Sequence, residues 1–144
     1  MLFRSDPPGS GGTIPAAINN AGAITGSYQA ANGRYYGFVR RPDGTFQTFD
    51  APGSGTGRGT FPASINDEGV ITGNYYSKNN TEVFGFIRSP EGMVTSFDPA
   101  SESTVCTASP TGLAVTAINH NGVIIGWCSL DSSANTFGGF ARYP

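Results

Sequence analysis

Ala17-Ile18-Asn19-Asn20-Ala21-Gly22-Ala23-Ile24-Thr25-Gly26 recurs as Ser64-Ile65-Asn66-Asp67-Glu68-Gly69-Val70-Ile71-Thr72-Gly73 and again as Ala117-Ile118-Asn119-His120-Asn121-Gly122-Val123-Ile124-Ile125-Gly126. The first interval is 47 residues and the second is 53. Two further landmarks keep step. Tyr36-Gly37-Phe38-Val39-Arg40 is matched by Phe84-Gly85-Phe86-Ile87-Arg88 and Gly138-Gly139-Phe140-Ala141-Arg142, and Phe49-Asp50-Ala51-Pro52-Gly53 by Phe97-Asp98-Pro99. Self-similarity at such a period marks a repeat architecture in which each unit is one supersecondary element.

Within a unit, the chain reads as strands joined by tight turns. A strand ends at the Ile-Asn pair, the following x-x-Gly supplies a turn whose Gly takes positive φ, and the chain returns through Ile24 to Tyr28. A third strand covers Tyr35 to Arg40, Pro42-Asp43-Gly44 makes a Pro-x-Gly turn, and a fourth strand runs to Asp50. Pro90-Glu91-Gly92 repeats that turn in the second unit. Four short strands per unit is the size of one β-propeller blade. Gly37, Gly85 and Gly139 sit inside strands, where a position without a side chain admits either the close approach of a ring or sheet, or a bulge.

The single domain of residues 1–144 then divides into units 13–58, 59–111 and 112–144. The third unit reaches Pro144 before its fourth strand, and Asp6-Pro7-Pro8-Gly9-Ser10-Gly11 aligns with Asp50-Ala51-Pro52-Gly53-Ser54-Gly55. Residues 1–12 are therefore expected to supply the missing strand, which removes an exposed sheet edge. Ser5 falls where Phe49 and Phe97 stand.

The order Ile-Asn-x-x-Gly-x-Ile-x-Gly, Gly-Phe-x-Arg, Phe-Asp-x-Pro-Gly resembles the HAF-type extracellular repeats of bacteria, over Thr13 to Arg142. The resemblance implies propeller blades in a secreted or cell-surface protein, and it carries over no catalytic residue.

Composition agrees with an all-β chain. Among 144 residues, 21 Gly and 10 Pro exclude a helix-rich fold, while 38% hydrophobic and 12% charged residues exclude disorder. A net charge of −2 offers no basic field for nucleic acid, and no apolar run is long enough to span a membrane. Residues 1–6 contain no apolar segment of a signal peptide.

Three blades are too few for a ring, since propellers hold roughly four to eight. A homodimer gives a six-bladed ring with residues 1–6 of one chain finishing the last blade of the other. A β-trefoil or β-prism monomer is the competing all-β architecture.

Candidate functional residues follow from the repeat. Arg40, Arg88 and Arg142 recur with Asp50, Asp98 and Asp6, so structural Arg–Asp ion pairs are expected rather than an anion site. His120 is the single histidine and replaces Asn20 and Asp67 on a turn; no metal motif and no cofactor site is present in the sequence. Asp67 and Glu68 are neighbours on that same turn, so their side chains diverge and do not form an acid/base pair. Cys106 lies in the segment that lengthens the second interval to 53 residues and Cys128 in unit 112–144, and the two read either as a disulfide or as two buried thiols. Tyr28, Tyr75 and Trp127, with Ser27 and Asn74 beside them, suit shallow sugar platforms, although packing between blades accounts for the same rings. The leading expectation is a non-catalytic carbohydrate-binding module taking polysaccharide. A protein-interaction scaffold without a small ligand is the alternative, and a polysaccharide lyase ranks third.

Overall fold

The computed structural model describes residues 6–56, 58–102, 106, 112–131 and 135–144. Three antiparallel sheets follow one another along the chain. The first contains β1 (Gly12–Ile18), β2 (Ile24–Gln29), β3 (Tyr35–Arg40) and β4 (Phe46–Phe49), paired in chain order. The second repeats it with β5 (Thr60–Ile65), β6 (Ile71–Tyr76), β7 (Val83–Arg88) and β8 (Val94–Phe97). A four-residue helix, α1 (Pro99–Glu102), leads to the third sheet of β9 (Leu113–Ile118), β10 (Ile124–Ser129) and β11 (Phe137–Arg142). Of the fourth strand expected from residues 1–12, residues 1–5 lie outside the described residues, residues 6–11 form a turn and not a strand, and Gly12 already belongs to β1.

Local chemistry explains the repeated hairpin. Asn19 N–H donates to Ala23 O, and the Asn19 side-chain oxygen accepts the Ala23 N–H at 2.9 Å, so one Asn closes the turn from both sides. Asn66 and Asn119 do the same with Val70 and Val123. Gly22, Gly69 and Gly122 all have positive φ, as a turn of this kind requires. Beyond the turn, β1, β5 and β9 each carry a bulge, at Pro15/Ala17, at Pro62/Ser64, and opposite Ile125/Gly126. The bulge brings main chain against the Gly of Ile-x-Gly: a Cβ on Gly26, Gly73 or Gly126 would lie 2.3 Å from a carbonyl oxygen of the neighbouring strand.

Packing joins the sheets in sequence. The first and second enclose Val39, Ala51, Ile65, Ile71, Tyr75 and Phe86, and the second and third enclose Phe97, Val115, Ile118 and Ile124. The previous sheet lays its face mainly on the first strand of the next, on β5 and then on β9. Phe38 and Phe86 are fully buried, each contributing about 1.5–3 kcal/mol. The described strands form an open succession of sheets, not a closed barrel.

The expected Arg–Asp pairs are replaced by contacts between sheets. Arg88, 4% exposed, lies 5.1 Å over the Phe49 ring and donates to Gln47 Oε1 at 3.1 Å, both residues in the first sheet. Burial pushes its pKa below the ordinary arginine range. Arg142 lies 5.1 Å over Phe97 of the second sheet and pairs with Glu102 at 3.0 Å. Arg40 has neither a ring nor a carboxylate partner of this kind among the described residues. Asp50 instead receives Arg34, Ser54 and Thr60, and Asp98 caps α1 by accepting the Ala100 N–H. Asp6 is half-buried at the start of the described chain. The physical reason is register: Arg88 and Arg142 share a sheet face with the core, and that face looks at the preceding sheet rather than at the Asp of the same unit.

Cys106 and Cys128 form a disulfide across a separation of 22 residues. In register, Cys128 stands opposite Gly138, where Tyr28 stands opposite Tyr36 and Tyr75 opposite Phe84. The disulfide, with Leu113 and Leu130, thus fills the space that a stacked ring pair fills in the other two sheets. Closing this loop contributes roughly 3 kcal/mol on the chain-entropy account.

Candidate functional site

The three Ile-Asn turns gather at one end of the molecule, where Ile18, Ile65 and Ile118 line a shallow cleft of about 200 Å³ with Asn20, Asp67 and His120 at its rim. Asp67 accepts the Asn20 backbone N–H at 2.9 Å and the Asn20 side-chain N–H at 2.7 Å. These two bonds, aided by the nearby His120, hold its carboxyl below the ordinary 3.8. His120 is exposed on the third turn. Among the described residues no group of three His, Cys, Asp or Glu side chains could hold a metal ion, and no helix is long and apolar enough to cross a membrane.

The five residues assigned to sugar contact are distributed over three sheets and do different work. Tyr75 is 5% exposed, stacks on Phe84 and donates its hydroxyl to Ser96 at 2.9 Å. Ser27 is buried, and Asn74 accepts the Val115 N–H at 2.8 Å, clipping the second sheet to the third. Tyr28 is half-buried against Tyr36, with ring centroids 5.8 Å apart. Trp127 is 39% exposed and meets Phe137 edge to face at 5.0 Å.

Equivalent positions differ most at the two ends of the array. Ile18 is 65% exposed, whereas its equivalents Ile65 and Ile118 are 7% and 9% exposed. Ile24, Tyr28 and Arg40, on the same face as Ile18, are half-buried, while Ile71, Tyr75 and Arg88 are buried. At the other end, Ile125 and Trp127 share a face with Phe137 and are well exposed. Their equivalents Thr25, Thr72 and Ser27 are buried under the next sheet.

No family model, curated protein or solved structure matches the chain.

The residues that link the sheets, Asn19, Asn66, Gln47, Phe49 and Phe97, were not singled out for that role by sequence. The repeated Asn carried a signal, because the same letter stands in all three turns.

Proposed function

We propose that the chain is a non-catalytic extracellular interaction module, three propeller blades that close into a six-bladed ring with a second copy. The observation that carries this reading is a pair of non-identical end faces, one open at Ile125, Trp127 and Phe137 and the other partly open around Ile18. Ile125, Trp127 and Phe137 expose the face that covers the next sheet elsewhere in the chain, and on the face that the preceding sheet covers elsewhere Ile18 is exposed and Ile24 and Arg40 are half-buried, although Phe38 beside them is buried. A second copy continues the interface between successive sheets, and a two-fold axis makes both junctions the same. The Asn119 side-chain nitrogen, which donates to no other turn among the described residues, then meets the Asn19 carbonyl of the other copy, and Arg40 meets the outer edge of the other copy's third sheet.

The disulfide accords with an oxidising compartment outside the cell. Ile125→Asp places a charge on the third sheet's bare face while leaving the buried residues untouched. The expected result is an unchanged circular dichroism spectrum with half the solution mass of the wild type. An unchanged mass overturns the reading.

A second reading, a carbohydrate-binding module, is favoured by the exposed edge-to-face pair of Trp127 and Phe137, which offers an apolar ring face to a sugar. Retention on polysaccharide that Trp127→Ala abolishes in a folded protein supports it; unaltered retention removes it.

A further inference from the structure

The third sheet differs from the other two at one edge. β3 and β7 are paired on both sides, whereas β11 pairs only with β10 among the described residues. Along that edge runs a groove of about 440 Å³, lined by residues 139–143 and by Pro99 and Glu102 from α1.

The two complete sheets show what such an edge holds. Gly37 pairs with Phe49 and Gly85 with Phe97. A Cβ on Gly37 would lie 2.5 Å from Phe49 Cζ, and one on Gly85 would lie 2.3 Å from Phe97 Cζ, so in each case a ring occupies the room a side chain would need. Gly139 is the same position in the third unit, and among the described residues a Cβ there meets only Gly126 O, at 3.7 Å. The seat is present and its ring is absent among the described residues. Trp127 pairs directly with Gly139, and Phe137 lies two residues along the same face, so the seat has two apolar walls.

We propose that the β11 edge is a strand-acceptor site for an extended segment of another polypeptide with the pattern apolar-x-(Ser/Thr)-Phe-Asp, bound antiparallel with its Phe ring on Gly139. The register follows from the complete sheets, where Thr48 and Ser96 face Phe38 and Phe86, and Phe46 and Val94 face Arg40 and Arg88. Main-chain hydrogen bonds to the edge supply affinity, and the ring seat supplies selectivity. Residues 1–6 match only half of the pattern in sequence: aligned through Asp6, Leu2 falls at the position of Phe46 and Val94, but Ser5 at that of Phe49 and Phe97. The Gly139 seat lies on the end face that carries Ile125, Trp127 and Phe137, just as Phe49 lies on the face that meets Phe86 and Arg88 of the next sheet, so a bound segment and a second copy meet at this end; the solution mass of the chain, measured without peptide, tests the second copy by itself.

The test is fluorescence anisotropy with labelled peptides and the full chain. The probes are a peptide of residues 43–50, the same peptide with Phe49→Ala, and a peptide of residues 1–6. The first is expected to bind, and the other two to bind roughly tenfold to a hundredfold more weakly, the range set by burying one Phe ring. Gly139→Ala has room for its methyl in the free chain, so it keeps the wild-type circular dichroism and melting temperature while weakening the first peptide by a similar factor. The proposal is overturned if no peptide binds, if residues 1–6 bind as tightly as residues 43–50, or if folded Gly139→Ala binds unchanged.

Discussion

The side-chain amide of Asn19 donates to the backbone carbonyl of Asn66 at 3.0 Å, a bond between two equivalent turns in different sheets. Asn66 repeats it to Asn119 at 3.1 Å. Each Asn therefore closes its own turn with its side-chain oxygen, and the first two reach the next turn with the nitrogen. The sheets are registered to one another at this end by a hydrogen bond passed along the chain.

Asn66 is 6% exposed, and Asn66→Ala takes the partner from the part-buried Val70 N–H and from the Asn119 carbonyl, so it is expected to cost about 1–3 kcal/mol. Asn119 is exposed and closes only its own turn among the described residues, so Asn119→Ala costs about 1 kcal/mol or less. Urea denaturation of the two variants checks the order. Equal losses would show that the bond between turns adds nothing to the turn itself.

Gly85→Ala forces a methyl into the Phe97 ring and is expected to destabilise by roughly 1–3 kcal/mol, as overpacking does. Gly139→Ala makes, among the described residues, only an ordinary contact with Gly126 O at 3.7 Å and is expected to change stability by less than about 0.5 kcal/mol. Thermal melts of both variants decide this; a large loss in Gly139→Ala would mean that a ring already sits on that glycine.

The repeat made the order of strands and the hairpin turns legible, because each depends on neighbours close in sequence, whereas for the in-strand glycines it left a ring contact and a bulge both open. The partners of Arg88 and Arg142 were not legible. Equivalent letters at Asp50 and Asp98 suggested pairing inside a unit, but an arginine on a core-facing side of β7 can reach only what the preceding sheet presents, here Phe49 and Gln47, 41 positions from Arg88 in the case of Gln47. Periodicity identifies which residues are equivalent and leaves open which face meets which. The same gap separates the Tyr75 of the sequence, an apparent platform, from the buried Tyr75 whose hydroxyl is taken by Ser96.

Asp67 has its pKa lowered in the folded chain by the two bonds from Asn20. A carboxyl whose folded pKa is depressed contributes stability that is fully present above the ordinary value of 3.8 and is lost as pH falls through the lowered one. Carboxyl-carbon NMR is expected to place the Asp67 midpoint below 3.8, and Asn20→Ala to move it upward. A midpoint at or above 3.8 in the wild type would remove the clasp between the first two turns.

The account turns on whether the partly open face at Ile18 and the open face at Ile125 meet those of a second copy. Light scattering coupled to size exclusion, run across the micromolar range, measures this directly. The expected mass is about twice 14.9 kDa, with no larger species, because a two-fold ring leaves no end exposed. A folded chain that keeps a mass of 14.9 kDa at every concentration would contradict it.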